Sequence, residues 1–553
     1  MKEEKKSNKK TGKIILFGID ISNYIEIFRR RIEEIFMKQK IYSIIGGIIF
    51  AISSAILSFQ LIVKEYYTLE NVIFTIITSL FCAVWVYKNT YKESYEMCKK
   101  NPIFSIVCFL VGIIVSRKLF LDKGIECHKI FENWSINPFR VEFFIVSTIS
   151  LLYIMNYLGN KIKTWILNFI KELDKWDKKA YIITTIITSL VIIIAYAFNN
   201  KWFMSYDRVY SLDSGWIFKN LLPKATYYDI RHPLLNVFTF PMWAIVQTFV
   251  KIFMPGNLSN LIIAIIIQII NVQFLILIGL LLKKITNNKF VFILYIISFP
   301  TLLFTLFLEK YQLCTFFIVL YIYNVCNKKE SNLSLISAAG TMPTSCFIGI
   351  VELIKSDRFI NKLRQVAKIV ILTILTFICL GRGHILQYGI SEIKEKRNTF
   401  SNKTYTIIEK TIATSKIIPG SLIALPSKID NVKKTYLWDG LEKNNLAIST
   451  LLIFAILCIG IIKNRKELFG KITVAWMIFS AILFMILNWS THQTPLFAIY
   501  FSWAIIPNFV EGLDFIIEKI KGNSKLIYMI LISFIIIVNA TTMFDITKFL
   551  FKV

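Results

Sequence analysis

The chain has 553 residues, of which 55% are hydrophobic and 18% charged, with a formal net charge of +29 and a mean hydropathy of +0.59. Long runs of Ile, Leu, Phe and Val at that hydropathy exclude a soluble globular domain and describe an all-α polytopic membrane protein. The 64 Lys and Arg fall in short clusters between apolar runs, with no basic face carrying interleaved aromatics, which argues against a nucleic-acid partner. Nine cysteines without a C-x-x-C pair behave as small apolar residues rather than as a disulfide or zinc framework.

Residues 1–40 are basic and lack the compact apolar core and small-residue cleavage site of a signal peptide. They are expected in the cytoplasm, with 13–36 spaced for a helix that either lies on an anionic leaflet or is solvated in the cytoplasm. A membrane-crossing helix needs about 20 apolar residues, and the first candidates are 41–63, 71–87, 103–121 and 139–158. These form an N-terminal four-helix module over 41–179, joined by the basic connections "KNTYKESYEMCKKN" and "NKIKTWILNFIKELDKWDKK". A fifth span, 180–198, then delivers an outer loop at 199–258.

Beyond that loop, 234–253 and 333–354 are long enough to span but are interrupted by Pro241 and by "GTMPTS". If both spanned, the basic loops "KKITNNK" and "NKKESN" would lie outside. If neither spans, those loops are cytoplasmic and Glu309 faces outward, as the positive-inside bias favours. Residues 234–253 are therefore expected as an outer juxtamembrane helix and 333–354 as a broken hairpin shielded by protein. The remaining spans are 259–282, 289–307, 312–327, 366–382, 446–463, 471–488, 496–517 and 526–545. Residues 382–445 form a second outer segment, polar enough for a lid or helical cap, and 446–553 hold the last membrane helices. With this topology all four histidines, at 128, 232, 384 and 492, fall on the outer side.

The stretch "YDRVYSLDSGWIFKNLLPKATYYDIRHPLL", residues 206–235, concentrates charge between apolar segments. Solvation is the ordinary fate of such residues. Asp213 stands out because "LDSGW" follows soon after a span and "YYDIRHPLL" leads into the juxtamembrane helix. A carboxylate so placed can act as a general base for a hydroxyl or hold a divalent cation.

The order of these motifs resembles the GT-C glycosyltransferases, the polytopic family that includes protein O-mannosyltransferases and lipid A aminoarabinose transferases. In that family an acidic motif in the first outer loop precedes a basic-plus-proline segment, here "HPLL" from His232 to Leu235. Glu309 in "LFLEKYQLC" occupies the place of the family's acidic residue in the next outer loop, and "NWSTHQTPLFAIYFSWAIIP" loosely matches its late aromatic and proline-rich segment. The resemblance covers roughly 180–545. It departs from the family in that Asp213 is followed by Ser214, with the nearest other acid at Asp207, and in the missing second proline.

The resemblance implies a GT-C-like core over 180–381 and inverting transfer of a sugar from a polyprenyl-phosphate donor to a hydroxyl acceptor on the outer face. Asp213 is then the expected base, with Glu309 and Asp207 as the other acidic candidates. Asp229, Arg231, His232, Lys310, Arg382 and His492 are expected to bind substrate. Arg outranks Lys and His toward phosphate because its planar fork binds two oxygens and stays charged. A divalent cation between Asp213 and Glu309 is an open expectation, weakened because hard cations want several oxygen ligands. The competing readings are a lipid-linked oligosaccharide polymerase or flippase, for which "RGH" at 382–384 would matter, and a transporter, for which no internal repeat is found. An Ile-, Lys- and Asn-rich composition points to a bacterial cytoplasmic membrane with the N-terminus inside.

Overall fold

The computed structural model describes residues 15–16, 19–20, 96–120, 137–223, 231–254, 256, 258–329, 331–351, 354, 359–380, 391, 394–395, 398, 406–438, 448–486 and 497–552. The chain divides into two compact units, one of residues 1–123 and 127–170 and one of 124–126 and 171–553. The expected spans 41–63 and 71–87, together with Asp229, Glu352, Arg382, His128, His384 and His492, lie outside the described residues.

In the first unit a two-residue ladder pairs β1 (Ile15–Leu16) with β2 (Ile19–Asp20). Two helices follow, α1 (Pro102–Phe120) and α2 (Asn137–Glu172). Helix α2 runs on through "NKIKTWILNFIKE", which the sequence analysis assigns to a connection. Lys161, Lys163 and Lys171 do not end it, because Lys is a good helix former and no Pro intervenes. Asn156 is buried and donates from Nδ2 to Cys98 Sγ at 3.3 Å, and Asn160 donates to Asn156 Oδ1 at 3.0 Å.

The second unit begins with α3 (Lys175–Phe198), whose Asp174–Asp177 capping box satisfies its first backbone N–H groups. The helices α4 (Leu235–Phe253), α5 (Leu258–Thr286), α6 (Lys289–Ile297), α7 (Phe299–Leu306), α8 (Tyr311–Cys326) and α9 (Asn332–Thr341) follow. Then come α10 (Phe359–Leu380), α11 (Ile407–Ser415), α12 (Ile448–Asn464), α13 (Leu468–Ala481), α14 (Ile499–Lys519) and α15 (Ser524–Lys552). Among the described residues, α3, α4, α5, 468–486 and α15 are long and apolar enough to cross a membrane, and α6 with α7 forms a sixth such segment bent by 54°. The protein is thus a multi-pass helical membrane protein.

Of three expected elements, one comes out differently. The span 289–307 is broken at Ser298, because Pro300 cannot donate to the carbonyl of Ile296. The Ser298 hydroxyl instead donates to Tyr295 O at 2.7 Å, and Phe299 N–H donates to Leu422 O at 3.1 Å. Residues 333–354 open with α9 and change at Met342 into a 3-10 turn, Pro343–Ile350, as the interruption by "GTMPTS" predicts. Within 382–445, expected as a lid or helical cap, the described residues hold α11 and a hairpin, β3 (Ser427–Asp430) paired antiparallel with β4 (Thr435–Trp438). Asp430 sets its turn by accepting from Val432 N–H and Lys433 N–H at 2.9 and 3.0 Å.

Core packing rests on close backbone approach. A Cβ on Gly460 of α12 would strike the Asn508 carbonyl of α14, and one on Gly512 would strike the Ile456 carbonyl, so glycine at both positions lets the two helices touch. Asn508 is fully buried there and donates to Thr473 Oγ1 at 2.9 Å and to Ala504 O at 2.8 Å.

Contacts at the two ends of α3 tie it to α5 and to α7. At its start Lys283 and Lys284, from the last turn of α5, reach the buried Asp177 at 2.8 and 2.9 Å. Near its far end the Tyr196 hydroxyl donates to Leu306 O at 3.0 Å, at the last residue of α7. Nineteen residues separate Asp177 from Tyr196, about 28 Å of helix, so Leu306 and the connection that follows stand far from the basic loops after α5 and α8.

Candidate functional site

Residues Phe307 to Lys310 connect α7 to α8 with non-helical backbone, and all four are buried. Buried carbonyls need donors, and α5 supplies them. Gln268 Nε2 donates to Phe304 O and Thr305 O, both at 2.8 Å, and to Phe307 O at 3.3 Å, while Asn271 Nδ2 donates to Glu309 O at 3.1 Å. The Trp202 and Phe307 rings pack with centroids 5.0 Å apart and close the connection on its other side.

Glu309 is 3% exposed. Its Oε1 accepts the backbone N–H of Asp213 at 2.5 Å, and its Oε2 accepts the N–H of Lys310 at 3.4 Å. The Lys310 ammonium, also buried, stands 3.4 Å from Asp213 Oδ2, and the Asp213 side chain keeps 33% of its surface open. The structure thus brings Asp213, Glu309 and Lys310 together across 96 residues of chain. Burial pushes the Glu309 carboxyl well above the usual carboxylate range, and the Asp213 charge pushes it further. The Lys310 ammonium and the two backbone N–H groups oppose that rise without cancelling it.

Asp213 owes its position to a loop under backbone strain. Asp207, Tyr210 and Ser211 adopt φ of 55°, 49° and 59°, and left-handed conformations cost non-glycine residues about 1 kcal/mol or more each. The loop is closed by Asp207 N–H to Leu212 O and Leu212 N–H to Val209 O, both at 2.9 Å. Immediately after Asp213, Gly215 donates to Ser205 O at 2.7 Å, and a Cβ there would meet the Met204 carbonyl. Only glycine permits that approach.

The other expected residues distribute as follows. Asp207 is exposed on the strained loop, six positions from Asp213. Arg231 is half-buried. His232 is buried, and its Nδ1 stands 2.7 Å from the Thr341 carbonyl, which can only accept. Nδ1 therefore carries the proton, and a neutral ring keeps Nε2 as an acceptor. Leu234 N–H donates to Gly340 O at 2.7 Å, so the "HPLL" segment is fastened to the end of α9.

The pair of carboxylates is a thin donor set for a divalent cation. Glu309 spends its oxygens on backbone N–H groups, Lys310 stands against Asp213, and among the described residues no group of three His, Cys, Asp or Glu converges. A hard cation asks for six or more oxygens. The arrangement fits proton handling better: a buried carboxyl with raised proton affinity holds the backbone of a half-open carboxylate that is paired with an ammonium.

Gln268, Asn271 and Tyr196 hold the site together, and sequence reasoning did not single them out. The signal was present for two of them, since Gln268 and Asn271 interrupt the otherwise apolar "NLIIAIIIQIINVQFLILIGLLL", and polar groups inside an apolar span are expensive unless they serve a partner. Lys416, 2% exposed between α11 and the β3–β4 hairpin, is a buried cation that had no such signal. In comparisons with known proteins, the chain matches no protein-family model, no curated sequence and no solved structure.

Proposed function

We propose that this protein is a glycosyltransferase of the bacterial cytoplasmic membrane, N-terminus inside, which moves a sugar from a polyprenyl-phosphate carrier to a hydroxyl acceptor at the outer face. The observation that carries this reading is the meeting of Asp213, from the loop after α3, with Glu309 and Lys310, from the α7–α8 connection. It joins the acidic residues of two successive outer loops, as the likeness to GT-C enzymes leads one to expect. A buried acid–base cluster far from the basic loops suits chemistry on a substrate that arrives from outside or from the lipid.

In this reading the acceptor oxygen attacks the anomeric carbon, its proton passes to Asp213 Oδ1 or Oδ2, and the carbon–phosphate oxygen bond breaks with inversion. Glu309 is a positioning residue, because it touches the Asp213 backbone rather than its carboxylate. Lys310 orients the carboxylate. The guanidinium of Arg231 presents forked donor pairs suited to the phosphate leaving group, and His232 joins it only with Nε2 protonated as well.

The test is sugar transfer by the purified full chain in detergent with polyprenyl-phosphate donors. Wild-type protein is expected to transfer and Asp213→Asn to lose about a hundred- to ten-thousand-fold. Equal rates in the two would remove the base, and absence of transfer with every such donor would remove the activity. Sidedness is checked separately. Val432→Cys, on the hairpin turn, should react with an impermeant thiol reagent on intact cells, while Lys329→Cys should not.

A further inference from the structure

The hairpin β3–β4 does not stand alone. Tyr210 N–H donates to Tyr436 O at 2.9 Å and Tyr436 N–H donates to Arg208 O at 2.7 Å, so residues 208–210 add a third, parallel segment beside β4. Side chains repeat the join. The Tyr210 hydroxyl lies 2.6 Å from Ser427 Oγ on β3, and the Tyr210 and Tyr436 rings meet edge to face at 5.6 Å. Val209, Tyr210 and Tyr436 are all buried at this seam.

The hairpin is in turn tied to the bundle. The Tyr436 ring packs against Phe549 of α15, and Tyr210 packs against Phe299 at the α6–α7 bend. Just ahead of β3, Ala424 N–H donates to Asn539 Oδ1 at 2.7 Å. Asn539 Nδ2 donates to Ile297 O and Leu422 O at 2.8 and 3.0 Å. A chain of fixed points therefore runs from α15 through the hairpin into the loop that ends at Asp213.

Three consecutive features of that loop need such an external hold. Asp207, Tyr210 and Ser211 are strained, their own loop closes with only two backbone bonds, and the residue the loop delivers is Asp213. Strained backbone persists only where its surroundings over-determine it. We propose that the hairpin is a clamp, with Tyr436 and Tyr210 as positioning residues, that holds the 207–212 loop in its strained form and so keeps Asp213 against Glu309. Release of the hairpin lets the loop relax and disassembles the pair. The consequence for transfer rests on the function proposed above; the clamp itself does not.

The experiment is hydrogen exchange with mass spectrometry on the purified full chain in detergent, read over peptides covering 206–216, alongside transfer assays. Tyr436→Pro removes the N–H that bonds Arg208 O, and Tyr210→Phe removes only the hydroxyl at Ser427. Both should speed exchange of the 207–213 amides, Tyr436→Pro by about tenfold or more, the worth of one hydrogen bond, with α5 and α8 still protected. Ser211→Gly should reverse part of the Tyr210→Phe effect, because glycine accepts φ near 59° at little cost. Unchanged exchange at 207–213 in Tyr436→Pro, with the hairpin amides themselves opened, would overturn the clamp. Faster exchange with wild-type transfer would overturn the positioning role. If wild-type protein transfers no sugar, the proposed activity fails while the exchange data still decide the clamp.

Discussion

The two ends of α3 carry similar residues and use them in opposite ways. At the start of the helix, Asp174 and Asp177 face Lys283 and Lys284, and Glu172 faces Lys329 at 2.6 Å and accepts from the Tyr323 hydroxyl at 2.5 Å. Each acid there has a lysine of its own, and the hydrogen-bonded Lys283 ammonium brings the Asp174 carboxyl down to about 2. Near the far end the one ammonium, of Lys310, pairs with Asp213 while the buried Glu309 has only backbone N–H groups, Asp213 is partly open to solvent, and the backbone beside it is strained. Balanced charge with good caps gives a rigid anchor. An unbalanced acid pair in a buried setting raises proton affinity, as functional sites and structural ion-pair networks both do.

The largest effect should separate the ends by activity. Asp213→Asn and Glu309→Gln are each expected to lower transfer about a hundredfold or more, and the double mutant to lose little beyond the worse single, because residues acting as one unit are non-additive. Lys283→Met, at the other end, should leave transfer per folded molecule unchanged. Near-wild-type transfer by Glu309→Gln would reduce Glu309 to a neutral acceptor for the Asp213 N–H.

Stability should show the reverse. Lys283→Met leaves the fully buried Asp177 with one lysine in place of two, and should destabilise the protein by about 2–3 kcal/mol in denaturant or thermal unfolding. Asn539→Ala removes two donors and one acceptor from buried backbone and should cost about 1–3 kcal/mol. A Lys283→Met protein as stable as wild type would erase the contrast between the ends.

The smallest effect is a pH dependence with a definite sign. Glu309 binds its proton more tightly folded than unfolded, so the native state holds more protons once pH exceeds the ordinary value of 4.5. Stability should therefore fall as pH rises from 4.5 toward the raised value, and Glu309→Gln should remove that slope. Asp174 works the other way: its contribution is present above the ordinary 3.8 and is lost as pH falls through about 2. A slope that survives Glu309→Gln would assign the titration to another group.

The sequence by itself determined the helices of the described membrane segments, because apolar runs of membrane length can satisfy their backbone only as helices. It also marked the break at "GTMPTS" and carried the break before Pro300, since proline removes a helix donor wherever it stands. Asp213 and Glu309 were legible as candidates from their places beside apolar runs. Tertiary structure alone decided that they touch, that Lys310 is buried with its ammonium against Asp213 rather than facing water, and that Gln268 and Asn271 are the groups that hold the connection. It alone placed the β3–β4 hairpin, separated from residues 208–210 by more than two hundred positions, so that those residues add a third segment beside β4. The reason is range. Helix formation is settled by residues three and four apart, whereas burial, the resulting proton affinity and the strand pairing depend on which distant segments share a neighbourhood, and no local pattern records that.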